Sequence, residues 1–87
     1  NITALSDERL KVNIETLDGK KVLEMRGVGF IKDGEKGSGV VAQELEQVAP
    51  ELVSNKGEYK SVAYGNLVGY LIEAIKDLQK QVDELKK

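Results

Sequence analysis

Ser6-Asp7-Glu8-Arg9-Leu10-Lys11 sets a hydroxyl and an amine five positions apart near the start of an 87-residue chain. A serine hydroxyl becomes a useful nucleophile only when a neighbouring base takes its proton. The chain has no histidine and no cysteine. Lysine is therefore the main candidate base, on condition that burial or a second cation favours its neutral amine. The same six residues also read as an ordinary helix start. Ser6 has the side chain of an N-cap, Asp7 and Glu8 suit the positive end of a helix dipole, and Lys11 would then be solvated. On these six residues alone both readings stay open.

Whatever they do, one small domain must position them. A chain this short buries a modest fraction of its surface and commonly needs a staple. Cysteine is absent, which excludes disulfides. With neither histidine nor cysteine a zinc site is not expected, and no cofactor is expected at all. Oligomerisation is the staple that remains. Thirteen Lys and Arg stand against 15 Asp and Glu, a net charge of -2 with pI near 5.2. That balance argues against nucleic acid and against an anionic membrane as partners. Aromatic residues at 5% argue against a stacking platform for bases or sugars. No apolar run approaches the ~20 residues that span a bilayer. No signal-peptide pattern opens the chain, and Asn1 without an initiating Met points to a segment of something longer.

Residues 1–5 read as a tail or the end of an upstream segment. Residues 6–14 read as a short helix, with Leu10 and Ile14 at i, i+4. Asp18-Gly19 marks a turn, and residues 20–26 carry a helical patch that closes at Gly27. Residues 27–32 lean towards a strand, 33–38 towards a loop, and 39–42 towards the second arm of a hairpin. Residues 43–49 read as helical turns with Leu45 and Val48 on one side and Pro50 as the stop. Residues 52–54 and 59–62 flank Asn55-Lys56-Gly57-Glu58 as a second small hairpin.

Residues 64–87 differ in kind. They contain no proline, and Tyr64, Val68, Leu71, Ile75, Leu78, Val82 and Leu85 recur in alternating steps of four and three. That spacing fits the a and d positions of about three heptads. Past Lys76 the seam is almost the whole apolar content, and an isolated helix of this kind is marginal in water. A small body cannot cover a helix of about 24 residues, roughly 36 Å long. The spacing therefore predicts self-association. Val or Ile at a with Leu at d leans towards a dimer, whereas Leu67, Ile72 and Ala74 widen the seam towards three or more helices. Dimer and trimer both remain open on these grounds.

Three blocks stand in order: Ser6 to Lys11; Gly39-Val40-Val41-Ala42-Gln43-Glu44-Leu45 with Pro50-Glu51-Leu52-Val53; and Tyr59-Lys60-Ser61-Val62 leading to Leu71-Ile72-Glu73-Ala74-Ile75. Together they resemble the C-terminal intramolecular chaperone domain of phage tail fibres and tailspikes, the peptidase S74 family. The likeness runs over nearly the whole chain from Ser6 onward. Val41 replaces the usual Ile of the second block, and the stretch at 15–38 is short and glycine-rich, as in a compact member.

The resemblance implies an α+β fold. A small body of short strands and helices at 6–63 would be followed by a long C-terminal helix at 64–87 in a parallel trimeric coiled coil, with 1–5 the end of an upstream fibre segment. It implies partners, namely two further copies of the chain and the upstream fibre segment. It places the domain in the host cytoplasm during phage assembly and the parent fibre in the virion tail. It also implies self-cleavage of the Leu5–Ser6 bond, with Ser6 as nucleophile, Lys11 as general base, and Gln43 and Glu44 as possible supports of that dyad. A coiled coil that forms early would bring three chains into register by raising their effective concentration. Cleavage afterwards would turn a reversible assembly into a kinetically trapped one. Two other readings are a structural trimerisation cap that never cuts and a coiled-coil adaptor for an unrelated partner.

Overall fold

The computed structural model describes residues 3–87; Asn1 and Ile2, within the expected upstream segment, lie outside the described residues. From Thr3 to Asp18 every residue is exposed. The helix expected over 6–14 is replaced by a single 3-10 turn, Glu8–Leu10. Leu10, Val12 and Ile14 recur at every second residue, and Asn13 between them takes a left-handed φ of 51°. A helix so short forms only when a face is packed, and this segment packs no buried face on the body.

Asp18 then caps a second 3-10 helix, Gly19–Glu24, by accepting the Lys20 amide at 3.0 Å. It ends at Met25, short of the expected stop at Gly27. Strands β1 (Val28–Lys32) and β2 (Glu35–Gly39) pair antiparallel, with Lys32 opposite Glu35. The turn between them is therefore Asp33-Gly34 alone, with φ of 53° and 80°. Positive φ at both positions is a type I′ turn, which matches the strand twist and suits Asp-Gly. The expected loop at 33–38 is thus mostly strand, and the second arm ends at Gly39 where it was expected to begin.

Helix α1 (Ala42–Glu46) and the turn after it bury Leu45 and Ala49, which are four positions apart; Val48 is half-buried. Pro50 opens a 3-10 turn, Pro50–Leu52, that buries Leu52. Strands β3 (Val53–Ser54) and β4 (Ser61–Val62) form the second hairpin with two residue pairs, shorter than the arms expected at 52–54 and 59–62. A 3-10 turn, Tyr64–Asn66, leads into helix α2 (Leu67–Leu85). The helix expected from 64 therefore starts at 67.

Helix α2 is divided by face. Leu67, Tyr70 and Ala74 lie towards the body. Leu67 and Ala74, expected to widen the seam, so belong to the body's stripe, while Ile72 is 49% exposed. Gly19 rests on the helix backbone; a Cβ there would come within 2.5 Å of the Glu73 carbonyl carbon. Every residue from Leu78 onward is exposed. The core is small: Leu45, Ala49, Leu52 and Tyr70, edged by Val22, Met25, Val40, Val53, Val62 and Leu67. The radius of gyration is 15.7 Å, against about 12 Å for a compact chain of this length. The fold is α+β, with two separate two-stranded sheets among the described residues.

The Tyr70 hydroxyl donates to Glu51 Oε2. That bond holds the Glu51 carboxyl below its ordinary value. The same bond, with burial adding to it, pushes the Tyr70 hydroxyl up to about 12. Tyr70→Phe is expected to cost about 1–2 kcal/mol near neutral pH, a charge-assisted hydrogen bond discounted for an exposed carboxylate. Because the folded-state value of Glu51 is depressed, its contribution is full above the ordinary glutamate value of about 4.3 and fades as pH falls through the lower folded value. Urea titrations across that range should show wild type and Tyr70→Phe converging on the acid side. A gap that stays constant with pH would contradict this assignment.

Candidate functional site

Ser6 and Lys11 flank the 3-10 turn Glu8–Leu10. On an α-helix two residues five apart stand about 140° apart around the axis, too far round to meet. The turn changes that geometry. Asp7, rather than Ser6, is its cap: Asp7 Oδ1 accepts the Arg9 amide at 2.8 Å. The Arg9 side chain folds back on the same carboxylate, Nε to Oδ1 at 3.0 Å and Nη2 to Oδ2 at 2.8 Å. The Leu10 and Lys11 amides close onto the Asp7 and Glu8 carbonyls at 3.0 and 3.1 Å. Lys11 leaves the turn in extended conformation, and its Nζ reaches back to donate to Ser6 Oγ at 2.6 Å. The Arg9 guanidinium holds the Asp7 carboxyl below the usual carboxylate range.

Hydroxyl and amine therefore meet within one chain. In this contact the amine donates; with a neutral amine the direction reverses, and Nζ can take the Oγ proton as a general base. Both side chains are exposed, as is Leu5 before them at 90%. Burial favours the neutral form of an amine, and the single protomer leaves Lys11 open to water.

Gln43 and Glu44 sit elsewhere, in the first turn of α1. Glu44 is taken by Arg26, Nε to Oε1 at 2.9 Å and Nη2 to Oε2 at 2.6 Å, which pins the segment before β1 to α1. The Arg26 hydrogen bonds hold the Glu44 carboxyl below its ordinary range. Gln43 lines an open cleft of 520 Å³ between the two hairpins, with Phe30, Tyr59 and Tyr64. Among the described residues, neither side chain is hydrogen-bonded to Ser6 or Lys11. The block from Gly39 to Leu45 is also clasped from the far side. The Tyr64 hydroxyl accepts from the Val40 amide at 3.2 Å and donates to the Val40 carbonyl at 3.4 Å. Tyr64, expected to open the seam, is thus half-engaged by the body in the turn before α2.

Val68, Leu71, Ile75, Leu78, Val82 and Leu85 are all exposed, from 37% at Val82 to 87% at Leu85. They form a stripe roughly a quarter-turn around α2 from its body-facing residues. Leu23, on the Gly19–Glu24 helix and 84% exposed, extends this surface. With Val22 it faces Leu71, Ala74, Ile75 and Leu78 across an apolar groove of 440 Å³. The sequence reading missed Leu23 because it counted one helix at a time, and missed Asp7 and Arg9 as turn-makers because Ser6 is an equally good cap by type. Among the described residues, no cluster of carboxylates is placed to hold a metal, and no helix is long and apolar enough to cross a membrane.

The family model for peptidase S74, described as chaperone of endosialidase, matches residues 6–54, from the candidate serine to the end of β3. Among curated proteins none matches the chain at a significant level.

The turn makes one expectation specific. Asp7→Ala should slow any Ser6-dependent cleavage about tenfold, or ~1.4 kcal/mol, the size of a lost cap. Asp7→Asn still accepts from the Arg9 amide and should keep most of the rate. Quantifying the product by intact-mass spectrometry checks both, and an Asp7→Ala rate equal to wild type would remove Asp7 from this positioning role.

Proposed function

The chain belongs to the peptidase S74 family, the chaperones of endosialidase, and from that membership we propose an intramolecular chaperone that assembles with two further copies, holds an upstream fibre segment in register and then releases it by cutting Leu5–Ser6. The family's description supports the chaperone role. The observation that carries the cleavage is the contact of Lys11 Nζ with Ser6 Oγ at 2.6 Å within one chain. Ser6 attacks, Lys11 in its neutral form takes the proton, and the bond before Ser6 breaks. Substrate recognition adds little to the demand, since the chain itself supplies proximity.

Self-association rests on the exposed stripe of α2. Monomers rarely leave so long an apolar surface open to water. Each fully buried Leu or Val side chain is worth about 1.5–3 kcal/mol, so several seam layers together reach the cost of bringing chains together. The apolar groove beside Leu23 broadens the stripe in the direction that suits three helices more than two. Assembly also supplies what the dyad lacks. A neighbour packed over Thr3 to Ile14 would exclude water from Lys11 and favour its neutral amine.

Two tests follow. The full-length polypeptide carrying this domain should release a C-terminal fragment beginning at Ser6, with no release from Ser6→Ala and release slowed at least tenfold in Lys11→Arg. The rate should rise with pH until Lys11 is neutral, because only the neutral amine accepts the proton. A single uncut species in wild type at every pH would leave a structural cap in place of a peptidase. Separately, Leu78→Ser with Val82→Ser removes two seam layers from every chain and should dissociate the oligomer in analytical ultracentrifugation; survival of the oligomer would mean that this stripe is not the interface.

A further inference from the structure

We propose that Asp33-Gly34 is a site of spontaneous covalent modification, at which the Gly34 nitrogen closes on the Asp33 side chain and leaves an isoaspartyl linkage, while the other Asp-Gly pair, Asp18-Gly19, is held closed to the same reaction by α2. The chain carries this dipeptide at these two places. Glycine leaves the attacking nitrogen uncrowded, because it has no Cβ. Sequence alone therefore makes the two pairs equivalent, and their surroundings separate them.

At Asp18 the carboxylate is already engaged, with Oδ1 accepting the Lys20 amide at 3.0 Å. Gly19 opens the Gly19–Glu24 helix and is buried. A carbon added there would strike the α2 backbone at Glu73 and Ala74. Ring closure would have to release the cap and lift Gly19 off α2. At Asp33 both residues are exposed, and a carbon added at Gly34 would meet nothing within 4 Å. The pair is the whole of the turn, since Lys32 and Glu35 are the last partners of the ladder. Turning Asp33 towards ring closure disturbs only the tip of a two-stranded hairpin, an element of marginal stability by itself.

The chemistry needs water and nothing else. The Gly34 nitrogen attacks Asp33 Cγ and gives up its proton, and one carboxyl oxygen leaves as water, closing a five-membered succinimide. Water then adds at the backbone carbonyl carbon of Asp33. The bond from that carbon to the Gly34 nitrogen breaks, and the nitrogen keeps its bond to Cγ. The main chain now runs through Cβ and Cγ, one carbon longer, and the former backbone carbonyl carbon is a free carboxylate. One water leaves and one enters, so mass and charge are unchanged. The extra carbon falls in a turn whose φ values of 53° and 80° set the register of β1 on β2. Phe30 and Lys32, on β1, line the cleft between the hairpins, so the product loosens one wall of that cleft. Arg26 on Glu44 and Tyr64 on Val40 still clasp the base of the hairpin.

The test ages the full-length polypeptide that carries the domain at neutral pH and physiological temperature. Peptides covering each pair are then read by electron-transfer fragmentation and by methyl transfer from labelled S-adenosylmethionine with an isoaspartyl methyltransferase, which takes the new carboxylate as substrate. Isoaspartate should accumulate at position 33 at least about tenfold faster than at 18, because closure at 18 waits for local opening of the Gly19 contact. In denaturing urea the two rates should converge. Asp33→Asn keeps a turn-forming pair and should convert through the same ring with loss of ammonia, whereas Asp18→Asn should persist in the folded protein. Equal rates at 33 and 18 in the folded protein overturn the proposal, as does a position 33 that stays unmodified while urea exposes reaction at both. A rate difference that persists unchanged in urea overturns it as well, by tracing the preference to sequence rather than to the fold.

Discussion

Gly19 lies directly on the backbone of α2 at Glu73 and Ala74, and that close approach sets the geometry of the rest. A side chain at position 19 would hold the Gly19–Glu24 helix off α2, open the space around Tyr70 and turn Val22 and Leu23 away from the groove they share with Leu71, Ile75 and Leu78. With glycine there, one stripe of α2 closes the small core and leaves the next stripe free. The division is economical for a chain with four buried apolar residues among those described. Such a core is thin support for 87 residues, and in the proposed assembly the exposed stripe supplies the remaining stabilisation.

Ser6 and Lys11 lie outside that core. Their segment contributes no buried residue to the core, yet the six residues from Ser6 to Lys11, closed by Asp7 and Arg9, bring amine and hydroxyl into contact. Local geometry is therefore supplied by the segment itself, while the low-dielectric surroundings that a lysine base needs are not. Under the proposed function, that separation fits a reaction that happens once and late. A site complete within the monomer would cut before chains were in register. A site whose last component is a neighbour is silent until assembly provides it.

Much of this was legible in the sequence where chemistry and turn type coincide. Ser6 and Lys11 stood out by residue type in a chain without histidine or cysteine, and the heptad steps from Val68 to Leu85 mark the stripe that α2 leaves exposed. The misread parts have physical causes. Leu10 and Ile14 satisfy a helical spacing and Leu10, Val12 and Ile14 satisfy an alternating one, and a short segment without a packed face follows neither to a full element. Asp33-Gly34 is a strong two-residue hairpin signal; the two glycines at 37 and 39 masked the strand that follows it. Leu67 and Ala74 were assigned to the seam because a helix shows its apolar positions but not which neighbour claims each one. Glu44 had no way to declare Arg26, eighteen positions earlier, as its partner.

The central claim is that assembly completes the dyad, and its most direct measurement is the rate of Ser6-dependent release as a function of chain concentration, taken beside sedimentation of the same samples. The account predicts that the rate tracks the oligomeric fraction and falls away as the chain dilutes to monomer. A rate that stays constant through that dissociation would contradict it.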